Sequence, residues 1–336
     1  LADDEAFPPR PARRMTLNRL SHPEAQAVLS DRDLTADDIL TDDEREAYER
    51  LKSERRRGEW LAARVAAKQL VSRHARDFSG YRPDLADVTV AKNAEGAPRV
   101  ELRGEAEKVL TDFPMPNLTL THAGGVAIAG IAGPGHRARV GVDLEAIEER
   151  DENFADNYFT DTERDIELRG PDGQLQDPST TLTALWSVKE AVSKALGLGL
   201  KLALGELLVE NLTRESGHAV ADMSLNGKAA EAYEDLDAES LEARVRVDGT
   251  FALASAHLGQ TDAETSARKS TNGHGTNGHG TNGSSPESRT DERPSKEFAA
   301  VAALLKHKGL LDAERTRKSA EAEHGDDLSN WKHGNQ

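Results

Sequence analysis

Two carboxylates, two residues apart in an apolar segment, are the first candidates for chemistry. The segment Arg139–Glu145 reads Arg-Val-Gly-Val-Asp-Leu-Glu, a composition typical of a β-strand. Because strand side chains alternate between faces, Asp143 and Glu145 emerge on the same side. Adjacent carboxylates repel each other unless a cation lies between them, and Mg²⁺ favours a few carboxylates plus substrate phosphates. The pair therefore suggests a magnesium site, although a solvated strand edge is the simpler explanation of the pair alone.

A second candidate is the helical segment Trp186–Lys194, which reads Trp-Ser-Val-Lys-Glu-Ala-Val-Ser-Lys. On a helix Trp186, Glu190 and Lys194 share one face. Lys189 lies about 100° around the axis from Glu190. Taken singly, this is an ordinary exposed Glu–Lys pair worth about 0.3–0.5 kcal/mol.

The two segments carry more information together. Gly-Val-Asp-x-Glu followed well downstream by Trp-Ser-x-Lys-Glu-Ala-x-x-Lys resembles the paired signature of the 4'-phosphopantetheinyl transferase superfamily. The resemblance is closest to the long, surfactin-synthetase-activating type, in which two similar halves occupy one chain, and it covers about residues 35–260. The stretches Arg55–Arg64 and Leu120–Gly125 also resemble coenzyme A-binding stretches of that family.

This resemblance implies an enzyme that moves the phosphopantetheine arm of coenzyme A to a serine of an acyl carrier protein, releasing 3',5'-adenosine bisphosphate. It implies that Asp143, Glu145 and Glu190 bind Mg²⁺ on the pyrophosphate, and that Glu190, or a water on the metal, takes the serine proton. Lys194 would pair with the pyrophosphate, with Lys189 nearby. The nucleotide phosphates would contact Arg57, Arg64, Thr121 and His122.

Two departures from the family pattern bear on coenzyme A binding. Thr121-His122 stands where many relatives have Ser-His, which keeps the hydroxyl. Gly96-Ala97-Pro98 stands where relatives often have Gly-Lys-Pro, so either Arg99 replaces the lysine or one phosphate contact is missing. A buried structural histidine is the alternative interpretation of His122.

The amino-acid composition excludes several possible classes of protein. The formal net charge of −17 argues against a nucleic-acid binder, and the absence of cysteine excludes disulfides, thiol nucleophiles and cysteine-ligated zinc. A cytoplasmic location fits this absence. No apolar run is long enough to span a membrane. The start at Leu1 and the lack of a signal pattern suggest a segment of a longer polypeptide.

Internal repetition predicts the architecture. Thr41-Asp-Asp-Glu-Arg45 recurs as Thr160-Asp-Thr-Glu-Arg164, Trp60-x3-Arg64-x3-Lys68 resembles Trp186-x3-Glu190-x3-Lys194, and Gly125–Ala129 resembles Thr250–Ala254, all at nearly one separation. We expect an α+β fold of two pseudo-symmetric halves, each a small antiparallel sheet packed on a long helix, with the active site between them. Chance similarity of short, alanine-rich strings is the alternative.

The predicted elements follow from apolar periodicity and turn residues. A helical stretch is expected over 41–78 with a break near Gly58, a second opens at Thr160, and a third spans Leu182–Leu196. The expected strands are 88–91, 100–102, 117–121, 126–132, 139–145, 206–212, 220–225, 243–247 and 251–257. The expected divisions are an extended lead-in (1–40), an N-terminal half (41–138), a C-terminal half (139–262), a flexible Gly/His-rich linker (263–295), and a short helix with a disordered tail (296–336).

Two other functions stay open from sequence alone. A docking domain that kept the fold but lost activity would explain the missing Gly-Lys-Pro lysine. The other is a metal-dependent phosphatase or nuclease, which is disfavoured because the sequence lacks the His- and Asp-rich motifs expected of those enzymes. A polyketide synthase of the enediyne type, and hence antibiotic biosynthesis, is the setting that the resemblance suggests, with the carrier domain of the same synthase as partner.

Overall fold

The computed structural model describes residues 15–132, 138–170, 172–199, 202–215, 217–236, 238 and 240–259. The predicted linker and tail beyond residue 262 lie outside the described residues. Within them, helices pack on antiparallel sheets. The predicted mixed α and β class with antiparallel sheets is confirmed.

The first part of the chain, to residue 132, alternates short helices and strands around one long helix. Its strands are β1 (Met15–Ser21), β2 (Val88–Lys92), β3 (Pro98–Leu102), β4 (Leu118–Ala123) and β5 (Val126–Ala132). Its helices are α1 (His22–Ser30), α2 (Ala36–Ile39), α3 (Asp42–Glu49), α4 (Glu54–Ser79) and α5 (Gly104–Val109).

The second part follows a similar element order around a second long helix. Its strands are β6 (Arg139–Ala146), β7 (Leu207–Glu215), β8 (His218–Leu225), β9 (Ser240–Val247) and β10 (Phe251–Gly259). Its helices are α6 (Glu152–Tyr158), α7 (Asp161–Arg164), α8 (Pro178–Leu196) and α9 (Gly227–Asp235).

Each long helix is covered by its own sheet. The described strands form sheets in the order β1-β5-β4 and β6-β10-β9-β8-β7, with β2 and β3 as a separate hairpin. One apolar core surrounds α4 and another surrounds α8. A third, smaller core lies where the two sheets meet, and it includes Val126, Ile128, Val142, Leu144 and Phe251.

The lead-in expected over residues 1–40 is wrong for residues 15–40. Strand β1 pairs antiparallel with β5 along its whole length, from Met15 opposite Ala132 to Ser21 opposite Val126. Glu24 completes a capping box with Ser21, which starts α1 directly after the strand. Leu29 and Ile39 are buried in the first core. This segment is therefore an integral part of the fold.

The helical stretch expected over 41–78 is broken, but not at Gly58. Helix α3 ends before α4 begins at Glu54, and Gly58 lies inside α4. A Cβ on Gly58 would lie 2.5 Å from His22 Nδ1, so the glycine allows α1 to pack closely on α4. The break occurs instead in residues 50–53, where Ser53 caps α4 by accepting from Arg56 N.

A buried lysine–glutamate pair stabilises each long helix. Lys68 Nζ lies 2.9 Å from Glu44 Oε2, and Glu44 Oε1 accepts from Val90 N. Lys189 Nζ lies 2.8 Å from Glu163 Oε1 in the second part. Glu163 Oε1 likewise accepts from the N–H of the next strand, at Val209. Both glutamates complete capping boxes with Thr41 and Thr160, where the sequence predicted that helical stretches begin.

These contacts differ from the predicted alignment of the two segments. Lys68 and Lys189 make similar contacts, because each binds the capping-box glutamate of its own part of the chain. The sequence alignment had matched Lys68 with Lys194. Helix positions can slip by several residues in such a comparison because alanine-rich helices repeat the same pattern at every turn.

The junction between the two parts depends on side chains of β4. Thr119 Oγ1 accepts from Val142 N at 3.0 Å, and Thr121 Oγ1 accepts from Leu144 N at 3.0 Å. Asn117 Oδ1 accepts from Val140 N in the same manner. The outer edge of β6 is thus covered by side-chain acceptors in place of a neighbouring strand, which satisfies its backbone N–H groups.

Candidate active site at the junction of the two parts

Asp143 lies on β6 and is almost fully buried, with 3% exposure. Its Oδ1 accepts from Lys194 Nζ at 2.6 Å and from Thr121 Oγ1 at 3.2 Å. Its Oδ2 accepts from Ser187 Oγ at 3.0 Å. A buried carboxylate needs such partners because its charge is costly to remove from water. Both oxygens of Asp143 are therefore held in a fixed orientation.

Glu145 lies on the same strand but has weaker partners. Its Oε2 is 3.7 Å from Arg150 Nη2, and it accepts a hydrogen bond from the Trp186 side chain. Burial, and then repulsion from Asp143, raise the pKa of Glu145 from 4.5 to about 7. The positive charges and hydrogen bonds near Glu145 therefore do not fully offset the cost of burying its ionised carboxylate.

Glu190 and Lys194 are presented by α8, which packs along β6. Both side chains line a cavity of about 1410 Å³ between the two parts of the chain. Burial raises the pKa of Glu190; the nearby Lys194 charge lowers it and Asp143 adds to the increase. Glu190 therefore combines access to the cavity with a carboxylate that binds a proton more readily than usual.

Gly141 allows α8 to approach β6 closely enough to build this site. A Cβ at residue 141 would lie 1.8 Å from Ala191 O and 2.7 Å from Ala195 N, both backbone atoms of α8. The helix begins at an Asp177 cap, whose side chain accepts from Thr180 N, and ends at Gly197 in the left-handed region. The glycine of the Gly-Val-Asp motif is thus required by packing.

The carboxylates of this site are the type of ligand that Mg²⁺ prefers, but they do not form a preassembled metal cluster. Throughout the described ranges, no three His, Cys, Asp or Glu side chains are close enough to form a ready metal cluster. Asp143, Glu145 and Glu190 nevertheless interact electrostatically, since Asp143 raises the pKa of both glutamates. Carboxylates are hard oxygen donors and suit Mg²⁺, which usually completes its shell with substrate phosphates and water.

The cavity wall is rich in cations although the chain is acidic. His122 lies in this wall with a side chain 51% exposed, which excludes the alternative of a buried structural histidine. Its Nδ1 is 3.6 Å from Oε2 of Glu59, a buried residue that also accepts from Gly125 N. The lysines and arginines that line the cavity are Arg64, Lys92, Arg99, Arg139 and Lys194.

Arg64 and Arg99 reach this cavity in different ways. The Arg64 guanidinium lies 4.1 Å from the centroid of Trp60 and 3.7 Å from Glu44. Burial lowers the pKa of Arg64, which shows the cost of placing this charge there. Arg99 is 63% exposed and pairs with Glu101 at 2.6 Å. Both residues line the cavity.

Three of the expected phosphate or pyrophosphate contacts are placed elsewhere. Lys189 is fully buried and binds Glu163 and Tyr158 O, so it is a structural residue of the second core. Arg57 is not among the cavity-lining residues; its Nε donates to Leu51 O. Thr121 is buried, and its hydroxyl bonds Asp143 and Leu144 N. The first two expectations are corrected, and Thr121 meets the site through Asp143.

Comparison with known proteins identifies the family. A profile of the 4'-phosphopantetheinyl transferase superfamily matches residues 139–243. A holo-[acyl-carrier-protein] synthase of Dinoroseobacter shibae is 33% identical over 138 residues, which span 96% of that protein and 38% of this chain. The chain belongs to the 4'-phosphopantetheinyl transferase superfamily.

Two further relatives of this transferase were found. The fatty acid synthase subunit alpha of Schizosaccharomyces pombe is 35% identical over 124 residues, or 35% of this chain, but the match spans only 6% of that subunit. A crystal structure of holo-ACP-synthase from Plasmodium yoelii is 16% identical, with a TM-score of 0.30, over 36% of this chain and 94% of that chain. That TM-score carries no inference about the site.

Family membership confirms the predicted enzyme class, a 4'-phosphopantetheinyl transferase. The matched range contains Asp143, Glu145, Glu190 and Lys194, whereas the cavity residues Arg64 and His122 precede it. No helix in the described parts of the transferase is both long and apolar enough to cross a membrane.

Three residues that contact the candidate site residues were not predicted from the sequence. Ser187, Trp186 and Glu59 each contact a candidate site residue. Ser187 and Trp186 lie inside the recognised helix motif, so their positions were visible but their roles were not. Glu59 belongs to the arginine-rich stretch in which only the cations were considered as candidates.

Proposed function

We propose that the chain transfers 4'-phosphopantetheine from coenzyme A to a serine of an acyl carrier protein in a magnesium-dependent reaction. The serine oxygen forms a bond to the phosphorus next to the pantetheine arm, and the bond from that phosphorus to the departing 3',5'-adenosine bisphosphate breaks. The proton of the serine passes to Glu190. The alternative is a docking domain with little or no activity.

The observation that carries the proposal is the position of Glu190 and Lys194 beside Asp143. Lys194 binds Asp143 and lines the cavity together with Glu190. One wall therefore offers a proton acceptor and a cation within a space large enough for a nucleotide. Transfer of a phosphoryl-type group depends mainly on such positioning and charge stabilisation.

Each group has a role that follows from its surroundings. The raised pKa of Glu190, caused mainly by burial, makes its carboxylate a stronger proton acceptor, as the role of a general base requires. Lys194 stabilises negative charge as it develops on the pyrophosphate oxygens. Arg64, His122 and Arg99 would bind the nucleotide phosphates, because two guanidinium groups and an imidazole of the same cavity wall can donate hydrogen bonds to them. This basic lining offsets the repulsion between coenzyme A and an acidic protein.

Asp143, Glu145 and Glu190 are the residues that would hold Mg²⁺. When bound, the ion supplies charge neutralisation at the pyrophosphate. The protein contributes three oxygen donors on two rigid elements, β6 and α8. Glu145 supports this assignment in particular, since its pKa of about 7 shows a carboxylate without adequate compensation from neighbouring cations.

The long, two-half subtype belongs to the same proposal. Its support is the element order that recurs after residue 138 and the matching Lys68–Glu44 and Lys189–Glu163 pairs. A place within a polyketide synthase, with the carrier domain of that synthase as substrate, also stays a proposal. The similar stretch in a fatty acid synthase subunit occupies 6% of that protein, which supports such a transferase within a larger synthase. A cytoplasmic location is proposed with it.

Intact-protein mass spectrometry tests the activity. The chain is incubated with coenzyme A, Mg²⁺ and several apo carrier proteins, and each carrier should gain the mass of one phosphopantetheine arm. A carrier with its serine replaced by alanine is the matched control and should gain nothing. No gain on any carrier contradicts the proposal.

Calorimetry separates the transferase from a docking domain. A transferase should bind coenzyme A with an affinity that increases when Mg²⁺ is added. A docking domain should bind the carrier protein with no magnesium-dependent affinity for coenzyme A. The Arg99–Glu101 pair leaves Arg99 on the cavity wall, so we expect the first result.

A further inference from the structure

Asp143 is held by hydroxyl groups from two different elements. Thr121 on β4 and Ser187 on α8 bond opposite oxygens of this carboxylate, at 3.2 Å and 3.0 Å. Ser187 is fully buried, and Thr121 is 7% exposed. Both buried hydroxyls have protein acceptors within hydrogen-bond distance.

The neighbouring donors and acceptors determine the direction in which each hydroxyl donates its single hydrogen. Thr121 Oγ1 accepts from Leu144 N, which leaves its single hydrogen for Asp143 Oδ1. Ser187 Oγ has three acceptors in reach, namely Asp143 Oδ2 at 3.0 Å, Asp143 O at 3.2 Å and Ala252 O at 3.4 Å. The carboxylate oxygen is the nearest, and it is also the strongest acceptor because it is charged.

At the comparable position in the first part of the chain, Asn18 on β1 has an amide where Asp143 has a carboxylate. Asn18 pairs opposite Ala129 in β5, as Asp143 pairs opposite Ala254 in β10. Ala66 precedes Lys68 by two residues, as Ser187 precedes Lys189. Asn18 Nδ2 donates to Ala66 O at 2.9 Å. The hydroxyl is therefore absent where the carboxylate is absent, and the neutral amide donates instead to Ala66 O and to Gln69 Oε1.

We propose that Ser187 and Thr121 are positioning residues that fix the Asp143 carboxylate for the metal-dependent reaction. This inference rests on the proposed function. Ser187 fixes Asp143 from its own part of the chain, and Thr121 fixes it from the other part. The metal affinity of the enzyme then depends on the correct junction between β4 and β6. Fixing a ligand before binding avoids the loss of rotational freedom that binding would otherwise require.

The test compares Ser187→Ala and Ser187→Thr with Ser193→Ala. Ser193 is a matched control, since it is also a buried serine of α8, but its hydroxyl donates to Gly199 O. Titration of Mg²⁺ into each protein with coenzyme A is followed by calorimetry, and transfer is measured against Mg²⁺ concentration. We expect Ser187→Ala to weaken Mg²⁺ affinity about tenfold, which corresponds to about 1.4 kcal/mol. Excess Mg²⁺ should restore most of kcat.

Thr121 provides an independent arm of the experiment. Thr121→Ser keeps the hydroxyl and should retain wild-type Mg²⁺ affinity, whereas Thr121→Val should lower it. The proposal is overturned if Ser187→Ala shifts Mg²⁺ affinity no more than Ser193→Ala does, or if Thr121→Val binds Mg²⁺ as wild type does. Because calorimetry needs no turnover, these outcomes are distinct from a wild-type enzyme that fails to modify any carrier.

Discussion

Lys194 Nζ lies 2.6 Å from Oδ1 of Asp143, the shortest of the Asp143 contacts. The pair joins α8 to β6 at the point where the cavity begins. A lysine ammonium is a compact charge with three donors. It also contacts Val142 O at 3.3 Å, so its position is fixed by the strand as well as by the carboxylate. The same cation therefore compensates Asp143 and faces the cavity.

Replacing this cation should affect metal and coenzyme A in opposite directions. Lys194→Met removes a positive charge beside three carboxylates, so Mg²⁺ binding without coenzyme A should strengthen several-fold. Coenzyme A affinity and kcat should fall about tenfold or more, because a charge-assisted contact to phosphate is lost. Calorimetry and transfer assays measure both. Weaker Mg²⁺ binding in this variant would contradict the assigned role.

Glu145 should lower the stability of the metal-free enzyme at high pH. Its pKa is raised from 4.5 to about 7, so the folded protein holds the proton that the unfolded chain has already released. Between these values the free energy of unfolding falls as pH rises. Glu145→Gln removes this effect, and the variant should gain about 2–4 °C in Tm at pH 8 for each kcal/mol recovered.

Thermal unfolding at pH 5 and pH 8 in the presence of EDTA measures this difference. The gain in Tm of Glu145→Gln over wild type should be larger at pH 8 than at pH 5. Glu149→Gln, at a neighbouring exposed residue, is the control and should show no such trend. Parallel pH profiles for wild type and Glu145→Gln would refute the assignment.

Gly141→Ala should disrupt the site by separating α8 from β6. The new Cβ would overlap the backbone at Ala191, which cannot move without shifting the helix that carries Glu190. Overpacking of this kind typically costs about 1–3 kcal/mol, or more where backbone must move. Transfer should be lost even under conditions where the protein stays folded. Gly205→Ala meets no atom within 4 Å and serves as the control.

Arg64 and Arg57 belong to the same helix and should differ in their effect on coenzyme A. Arg64 lines the cavity, whereas Arg57 is not among the residues that line it and donates to Leu51 O. Arg64→Gln should raise the Kd for coenzyme A about tenfold, or about 1.4 kcal/mol. Arg57→Gln should change that Kd less than twofold. Equal effects in a binding titration would show that the cavity is not the nucleotide site.

The strand pattern and the two motifs could be predicted from the sequence because they depend on local order. Alternation placed Asp143 and Glu145 on one strand, and β6 spans the predicted segment with one residue more. The helical stretches expected from residue 41 and from Thr160 begin with α3 and α7, each preceded by a threonine cap. These signals are contained within a few residues and need no tertiary information.

The faces of α8 could not be assigned in the same way. A helical wheel gives the angle between Lys189 and Glu190 but does not show which direction is the core. Lys189 is buried because Glu163 lies there to pair with it, and that partner is distant in sequence. Likewise, β1 was missed because the strand it pairs with is β5, far along the chain. Pairings of this kind are set by the fold.

The central claim is that Glu190 supplies the carboxylate on which both metal binding and proton removal depend. The decisive measurement is carrier modification by Glu190→Gln, followed by mass spectrometry under single-turnover conditions with saturating coenzyme A and Mg²⁺. We predict a loss of at least about a hundredfold in rate, with Tm and circular dichroism close to those of wild type. A variant that modifies the carrier at a near wild-type rate would contradict the account.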